Sequence, residues 1–235
     1  MFKRTELLFG KDAIKKLNNS RVAVFGIGGV GGHVVEALVR SGIGTIDIID
    51  NDKVHKSNLN RQIISLNSTI GEYKVDAFEK RLKDINPDIV INKHICFFTP
   101  ENSSEFDFAA YDYVADCIDT VTGKIELVLK AQEASTPIIS SMGTGNKLNP
   151  TDLEVSDIYK TSVCPLAKVM RQELKKRGVK KLKVVYSKEI PVVPTEIIED
   201  KDSKKRIVGN NAFVPATAGL IIASEIVKDI IKKER

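Results

Sequence analysis

The feature that most restricts this chain is Gly26-Ile27-Gly28-Gly29-Val30-Gly31, set between the apolar run Val22-Ala23-Val24-Phe25 and a helically spaced segment, 34–39. A glycine-rich turn from strand into helix lets backbone come close to phosphate. The helix start adds unpaired N–H groups and a positive dipole end. Gly26, Gly28, Gly29 and Gly31 are therefore candidate nucleotide-binding positions. Asp50 ends the next apolar run, nineteen residues after Gly31, where a carboxylate can accept hydrogen bonds from ribose hydroxyls. Together these features mark a nucleotide site. They suit NAD as well as ATP, and tight turns of any kind also need glycine.

Strands and helices continue to alternate. Ser41-Gly42 stops the first helix, and Ile46-Asp47-Ile48-Ile49 reads as a second strand, giving a βαβ unit with a parallel sheet. A helix is expected from Lys74 to Ile85, closed by Asn86-Pro87, then a strand near 89–95 and a helix capped at Thr99-Pro100-Glu101. Tyr113-Val114-Ala115 and residues 137–141 read as strands on either side of a helix from Gly123 to Ala134. The expected fold class is α/β and Rossmann-like, a mostly parallel central sheet flanked by helices. Residues 1–150 form the nucleotide-binding domain in this reading. Residues 151–235 form a smaller C-terminal substrate lobe packed on the same core, with a helix at 165–177, a strand at 183–186 and a last helix after Pro215. Pro191, Pro194 and the run Glu199-Asp200-Lys201-Asp202-Ser203-Lys204-Lys205 suggest a mobile loop over 188–211.

At 235 residues, with 42% hydrophobic and 29% charged, the chain suits one large α/β core and excludes disordered and fibrous classes. A formal charge of +5 permits a polyanionic partner without demanding one. Cys96, Cys117 and Cys164 are widely spaced and odd in number, so they make neither a disulfide framework nor zinc-ligand pairs and fit a reducing cytoplasm. No apolar signal core follows Met1, and the apolar segment 213–231 is broken by Glu225, Lys228 and Asp229, which favours a packed helix over a membrane span. A soluble cytoplasmic protein is expected.

The nucleotide's identity rests on further residues: Asp50-Asn51-Asp52-Lys53-Val54, Ser57-Asn58-Leu59-Asn60-Arg61-Gln62, Gly71-Glu72-Tyr73-Lys74 and Asp116-Cys117-Ile118-Asp119. A triphosphate needs cations near its β- and γ-phosphates and a carboxylate for magnesium, and Arg61, Lys74 and Asp119 supply that complement. Taken singly, Arg61 or Lys74 is an ordinary surface charge and Asp119 an ordinary helix cap. In this order, over about the first 145 residues, the series resembles the ubiquitin-activating-enzyme-like adenylyltransferase superfamily. The resemblance implies ATP and Mg2+ as cofactors, Arg61 and Lys74 clamping the phosphates, Asp50, Asp52, Asn58 and Gln62 in the nucleotide pocket, and Asp119 positioning the metal. It also implies that Arg4, in Phe2-Lys3-Arg4-Thr5-Glu6-Leu7-Leu8, reaches a neighbouring subunit's γ-phosphate, so that the active enzyme is a homodimer.

Within the superfamily the whole chain is most similar to the tRNA threonylcarbamoyladenosine dehydratases, through 2–8, 25–32, 58–63, Ile85-Asn86-Pro87 and Ser140-Ser141-Met142-Gly143, and further along through 157–161 and Cys164-Pro165-Leu166-Ala167. That likeness implies ATP-dependent adenylation of the threonylcarbamoyl carboxylate beside a tRNA anticodon, followed by cyclisation with net loss of water. An atom of the same modification is the nucleophile, so no protein nucleophile is required. Three other readings stay open: activation of the C-terminus of a ubiquitin-like or sulfur-carrier protein, an NAD-dependent oxidoreductase, and a non-catalytic RNA-binding scaffold. Zinc is not expected. A sulfur-transfer or carrier protein is a conceivable partner. Cys164 is the one thiol to test for exposure, with a buried bystander as the ordinary expectation. The stretch 175–183 is either a phosphate-contacting patch or the solvated end of a helix.

Overall fold

The computed structural model describes residues 1–196 and 208–232. Two short helices, α1 (Lys3–Phe9) and α2 (Lys11–Asn18), precede the first strand, β1 (Arg21–Phe25). The glycine loop leads into α3 (Gly31–Ser41), which stops at Gly42 in the left-handed conformation, followed by β2 (Thr45–Ile49), α4 (Lys74–Ile85) and β3 (Val90–His94). Next come β4 (Tyr113–Asp116), α5 (Val121–Glu133) and β5 (Ile138–Ser141). The last elements are β6 (Leu153–Asp157), α6 (Pro165–Lys176), β7 (Lys183–Ser187) and α7 (Val214–Lys232). The segment opening at Thr99-Pro100 is a short 3-10 helix, Pro100–Glu105, rather than the α-helix its cap suggests. Of the loop expected over 188–211, residues 197–207 lie outside the described residues.

The seven strands form one sheet in the order β3-β2-β1-β4-β5-β7-β6, parallel except for β6 against β7. Layering follows from pleat. On β1, Val22 and Val24 enter the core shared with α3, α4 and α7, while Ala23 and Phe25 enter the opposite one. On that second side the Phe25 ring lies 4.9 Å from Phe98 and 5.3 Å from Phe106, centroid to centroid. Because both faces are covered, the central strands read as unbroken apolar runs rather than as alternating ones. α7 buries Val214, Ala218, Ile222, Ala223, Ile226 and Ile230, a helical stripe that packs against α3. Among the described residues no helix is long and apolar enough to cross a membrane.

A buried charge on β2 interrupts the apolar sheet. Asp47, on β2 and fully buried, accepts both Arg21 Nε and Nη2 at 2.8 Å, Asn92 Nδ2 at 3.1 Å, and faces His94 Nε2 at 3.1 Å. Burial alone would raise this carboxyl, but the hydrogen bonds from Arg21, His94 and Asn92 outweigh it and hold the pKa at about 2. A folded pKa below the unfolded value gives stability that is present above about pH 4 and is lost as pH falls towards 2; here it is about 2 kcal/mol. In urea titrations, Asp47→Asn is expected to lower stability at pH 7 by about that amount and to flatten its decline between pH 4 and 2. An unchanged decline would assign the acid sensitivity to other groups.

Candidate active site

β1 leads sideways to β2 and β3, whereas β4 leads to β5 and β7, so the sheet order reverses between β1 and β4. Open α/β sheets bind ligands in the crevice beyond the strand ends at such a point. A cavity of about 350 Å³ lies there. Gly26 leaves β1 at φ +80°, and a Cβ on it would stand 2.8 Å from Cys117 O in the turn after β4. At Gly31, the first residue of α3, a Cβ would stand 1.8 Å from Gly26 O. Only glycine lets the loop fold this tightly and present Gly28 and Gly29 to the cavity.

Asp50 locks the loop to the next strand. Its Oδ2 accepts the Ile27 N–H at 3.0 Å, and its Oδ1 accepts the Asp52 N–H at 2.9 Å. Lys74, at the start of α4, is nearly buried; its Nζ donates to Asp52 Oδ2 at 2.6 Å and lies 3.5 Å from Asp50 Oδ1. Asn58 Oδ1 accepts the His55 N–H at 3.0 Å, and its carbonyl accepts the N–H groups of Arg61 and Gln62 at 3.1 and 3.0 Å. Asn58 thus fixes the turn that presents both side chains. Arg61 donates to Ser57 O and Asn60 Oδ1 at 2.8 Å, its stem covers Gly29, and burial pulls its guanidinium pKa below the ordinary value. Gln62 Oε1 is a buried acceptor with no partner among the described residues. Such an atom is costly to bury unless a donor reaches it.

Asp119 is exposed on the turn after β4, and its carboxylate has no side-chain partner among the described residues. It is not a helix cap, since Thr120 holds the N-cap position of α5. Ten of the twelve residues singled out from the sequence line this one cavity. Gly31 packs beneath it, and Arg4 lies on α1, exposed to solvent and away from the cavity. Among the described residues no group of three or more His, Cys, Asp or Glu could hold a metal ion. Burial raises the thiol pKa of both Cys96 and Cys117, which also line the cavity, so neither is a ready nucleophile. Cys164 is buried, with 1% of its surface exposed.

The sequence reading did not single out Thr144, Asn210 and Pro215, which close the cavity from the C-terminal half, with Asn60 Nδ2 donating to Asn210 O at 3.1 Å. It also passed over a buried ion pair behind the cavity. Lys124 Nζ donates to both Asp116 oxygens at 3.0 Å and to Ser141 O at 2.8 Å, tying together the ends of β4 and β5 and the first turn of α5. Burial raises the Asp116 carboxyl against the pull of Lys124. The turn carrying Asp119 is therefore held on one side by Gly26 and on the other by this pair. The sequence does carry a signal for it: Lys124, Leu127, Val128 and Ala131 share the buried face of α5, where a lysine needs a partner.

A ThiF family model matches residues 2–235. The chain belongs to the ThiF family. A tRNA threonylcarbamoyladenosine dehydratase of Bacillus subtilis is 42% identical, covering 98% of this chain and 94% of that protein. The ATP complex of the Escherichia coli tRNA N6-threonylcarbamoyladenosine dehydratase, TcdA, superposes with a TM-score of 0.90 at 33% identity, covering 98% of this chain and 93% of that one. An adenylyltransferase and sulfurtransferase, UBA4 of Candida glabrata, is 36% identical but spans 61% of this chain and 33% of its own length. The Rossmann-like sheet of this ThiF chain is thus a shared feature, and the Asp116–Lys124 pair is the internal brace behind the cavity at its switch point. Replacing Lys124 alone strands a buried carboxylate, so Lys124→Met should cost about 3 kcal/mol or more in urea unfolding, and Lys124→Met with Asp116→Leu should recover much of the loss. If the double variant is no more stable than the single one, the pair is not the brace described here.

Proposed function

We propose that this chain catalyses ATP-dependent dehydration of threonylcarbamoyladenosine in tRNA, through an acyl-adenylate and with Mg2+. The observation that carries the reading is the reach of the likeness. Dehydratase relatives run through the C-terminal half that closes the cavity, whereas the adenylyltransferase and sulfurtransferase UBA4 spans only 61% of the chain. ATP is favoured over NAD because Arg61, Lys74 and Asp119 converge on the cavity, a complement that a triphosphate needs and a single pyrophosphate does not. The buried Gln62 Oε1 offers an acceptor to a nucleotide donor group, and the glycine loop offers N–H groups to phosphate. Mg2+ characteristically takes one or two carboxylates and completes its shell with phosphate and water, so the unpartnered Asp119 suits it without an all-protein cage. Bound there, the ion would neutralise phosphate charge.

In this mechanism Lys74, turning from Asp52 towards the phosphates, and Arg61 bind and orient the triphosphate. A carboxylate oxygen of the threonyl group attacks the α-phosphorus, and pyrophosphate leaves. A nucleophilic atom of the neighbouring carbamoyl group then attacks the acyl carbon, loses its proton, and expels AMP with the former carboxylate oxygen. The tRNA loses one water in sum, and ATP becomes AMP and pyrophosphate. Intramolecular attack gives a high effective concentration, so the absence of a ready cysteine nucleophile at the cavity is no obstacle. Nor does the chemistry call for a sulfur-transfer partner. Residues 1–150 supply the nucleotide chemistry, and 151–235 supply the substrate-facing part together with Asn210 and Pro215 of the cavity lining. A cytoplasmic location is part of this reading, supported by the presence there of tRNA and ATP.

Arg4 acts in a homodimer in this reading. It sits on α1, which buries none of its own residues and leaves Leu7 78% and Leu8 76% exposed, a face suited to cover by a second copy. Arg4→Ala and Asp119→Ala should each be inactive, yet mixing the two proteins should restore part of the activity; no recovery on mixing would remove Arg4 from the neighbour's site. Mass spectrometry of modified tRNA after incubation with protein, ATP and Mg2+ should find loss of one water. Arg61→Ala, Lys74→Ala and Asp119→Ala should each slow AMP formation about 100-fold or more with the fold intact. Unchanged tRNA mass with wild-type protein would reject the reading, as would carrier-protein-dependent pyrophosphate exchange without any tRNA effect.

A further inference from the structure

The positive charge of this chain is gathered in one place. Residues 160–181 hold eight of its 36 lysines and arginines and one of its 31 acids, leaving 28 cations against 30 acids elsewhere. The whole surplus of +5 is thus concentrated on α6 and the turns at its two ends. α6 buries Ala167, Met170 and Leu174 against α5 and turns Lys168, Gln172, Lys175 and Lys176 outward at spacings of three and four, one face of a helix. Lys160, Lys168, Lys175, Lys180 and Lys181 are exposed and have no acidic partner among the described residues. Glu173, the single acid, is already shared by Lys176 and Arg177, at 2.6 and 2.7 Å.

Helix-dipole stabilisation accounts for cations in the last turn of α6. It does not account for Lys168 near the N-terminal end, where the dipole opposes a cation, nor for Lys160, Lys180 and Lys181 outside the helix. The position of α6 supplies the second argument. Its N-cap residue, Cys164, packs against Gly143, where a Cβ would stand 3.8 Å from Cys164 Sγ, and the next residue, Thr144, lines the nucleotide cavity. α6 starts beside that lining residue and is about 18 Å long, at 1.5 Å per residue. The helix that carries the basic face is thus anchored next to the cavity lining, within reach of a long polyanion whose reacting unit sits at the cavity.

We infer that the outward face of α6, with the turns at 160 and 180–181, docks the phosphodiester backbone of RNA flanking the reacting nucleotide. This rests on the tRNA reading above and goes beyond it by naming the surface. Contacts of this kind are sequence-independent, set affinity, and release counterions. No phenylalanine or tryptophan lies within 160–181 to anchor this face in a membrane interface.

The test is fluorescence anisotropy of a labelled tRNA transcript with wild-type protein and with a variant carrying Lys168→Glu, Lys175→Glu, Lys180→Glu and Lys181→Glu, across a KCl series. ATP affinity is measured alongside as a check on the fold. A control carries Lys11→Glu, Lys15→Glu, Lys80→Glu and Lys83→Glu, the same change of charge at exposed sites on other elements. The α6 variant should bind tRNA at least tenfold more weakly, with a salt slope reduced by about 3, and should bind ATP as wild type does. The control should lose less than threefold. Equal losses in both variants would show a response to net charge alone and overturn the surface. An unchanged α6 variant would overturn the surface while leaving the tRNA reading in place. Wild-type protein that binds acidic lipid vesicles but not tRNA would overturn both.

Discussion

The structure turns on the contact between two turns. Gly26, leaving β1, and Cys117, leaving β4, approach so closely that a Cβ on Gly26 would stand 2.8 Å from Cys117 O, and Gly31 packs back on the Gly26 carbonyl. Any side chain at either glycine would push the loop away from the sheet, or push α3 away from the loop. This close approach determines where the cavity can be: it joins the glycine loop to the turn that carries Asp119, and both are fixed from behind, by Asp50 under Ile27 and by Lys124 on Asp116. Residues far apart in the chain, such as Lys74 and Asp119, line one cavity because these two turns cannot separate.

Much of this was legible in the sequence, for reasons that can be named. β1, α3 and β2 have periodicities that differ sharply, and glycine, Ser41-Gly42 and Asp50 punctuate them, so local rules suffice. Arg61, Lys74 and Asp119 line one cavity, the common site that the family resemblance implies. The Asp116–Lys124 pair was harder, because its meaning depends on β4 and β5 being neighbours and on Ser141 O lying within reach. α1 and α2 are short, and α1 buries none of its own residues, so no apolar stripe announces it. β6 is a five-residue antiparallel edge whose exposed Val155 breaks the pattern expected of a strand. Thr144 and Asn210 join the cavity through long-range folding, which no local signal reports.

Chemistry and architecture divide along the sheet in this account. In the proposed reaction the β1–β4 side takes the nucleotide, with Arg61 and Lys74 both partly withdrawn from solvent, an arrangement that strengthens their pull on phosphate. The β5–β7 side carries α6, whose N-cap residue Cys164 packs against Gly143 beside the cavity-lining Thr144 and whose outward face is basic. A reaction that activates a carboxylate on a large polyanion needs both: a tight site for a small triphosphate and an extended surface that holds the substrate in register without reading its sequence.

The most direct test follows the oxygen. With tRNA bearing 18O in the threonylcarbamoyl carboxylate, mass spectrometry of the nucleotide products after a single turnover should find one 18O in AMP and none in pyrophosphate. Label in inorganic phosphate accompanied by ADP, or unlabelled AMP with cyclised tRNA, would contradict adenylation of the carboxylate, and with it the role assigned to this cavity.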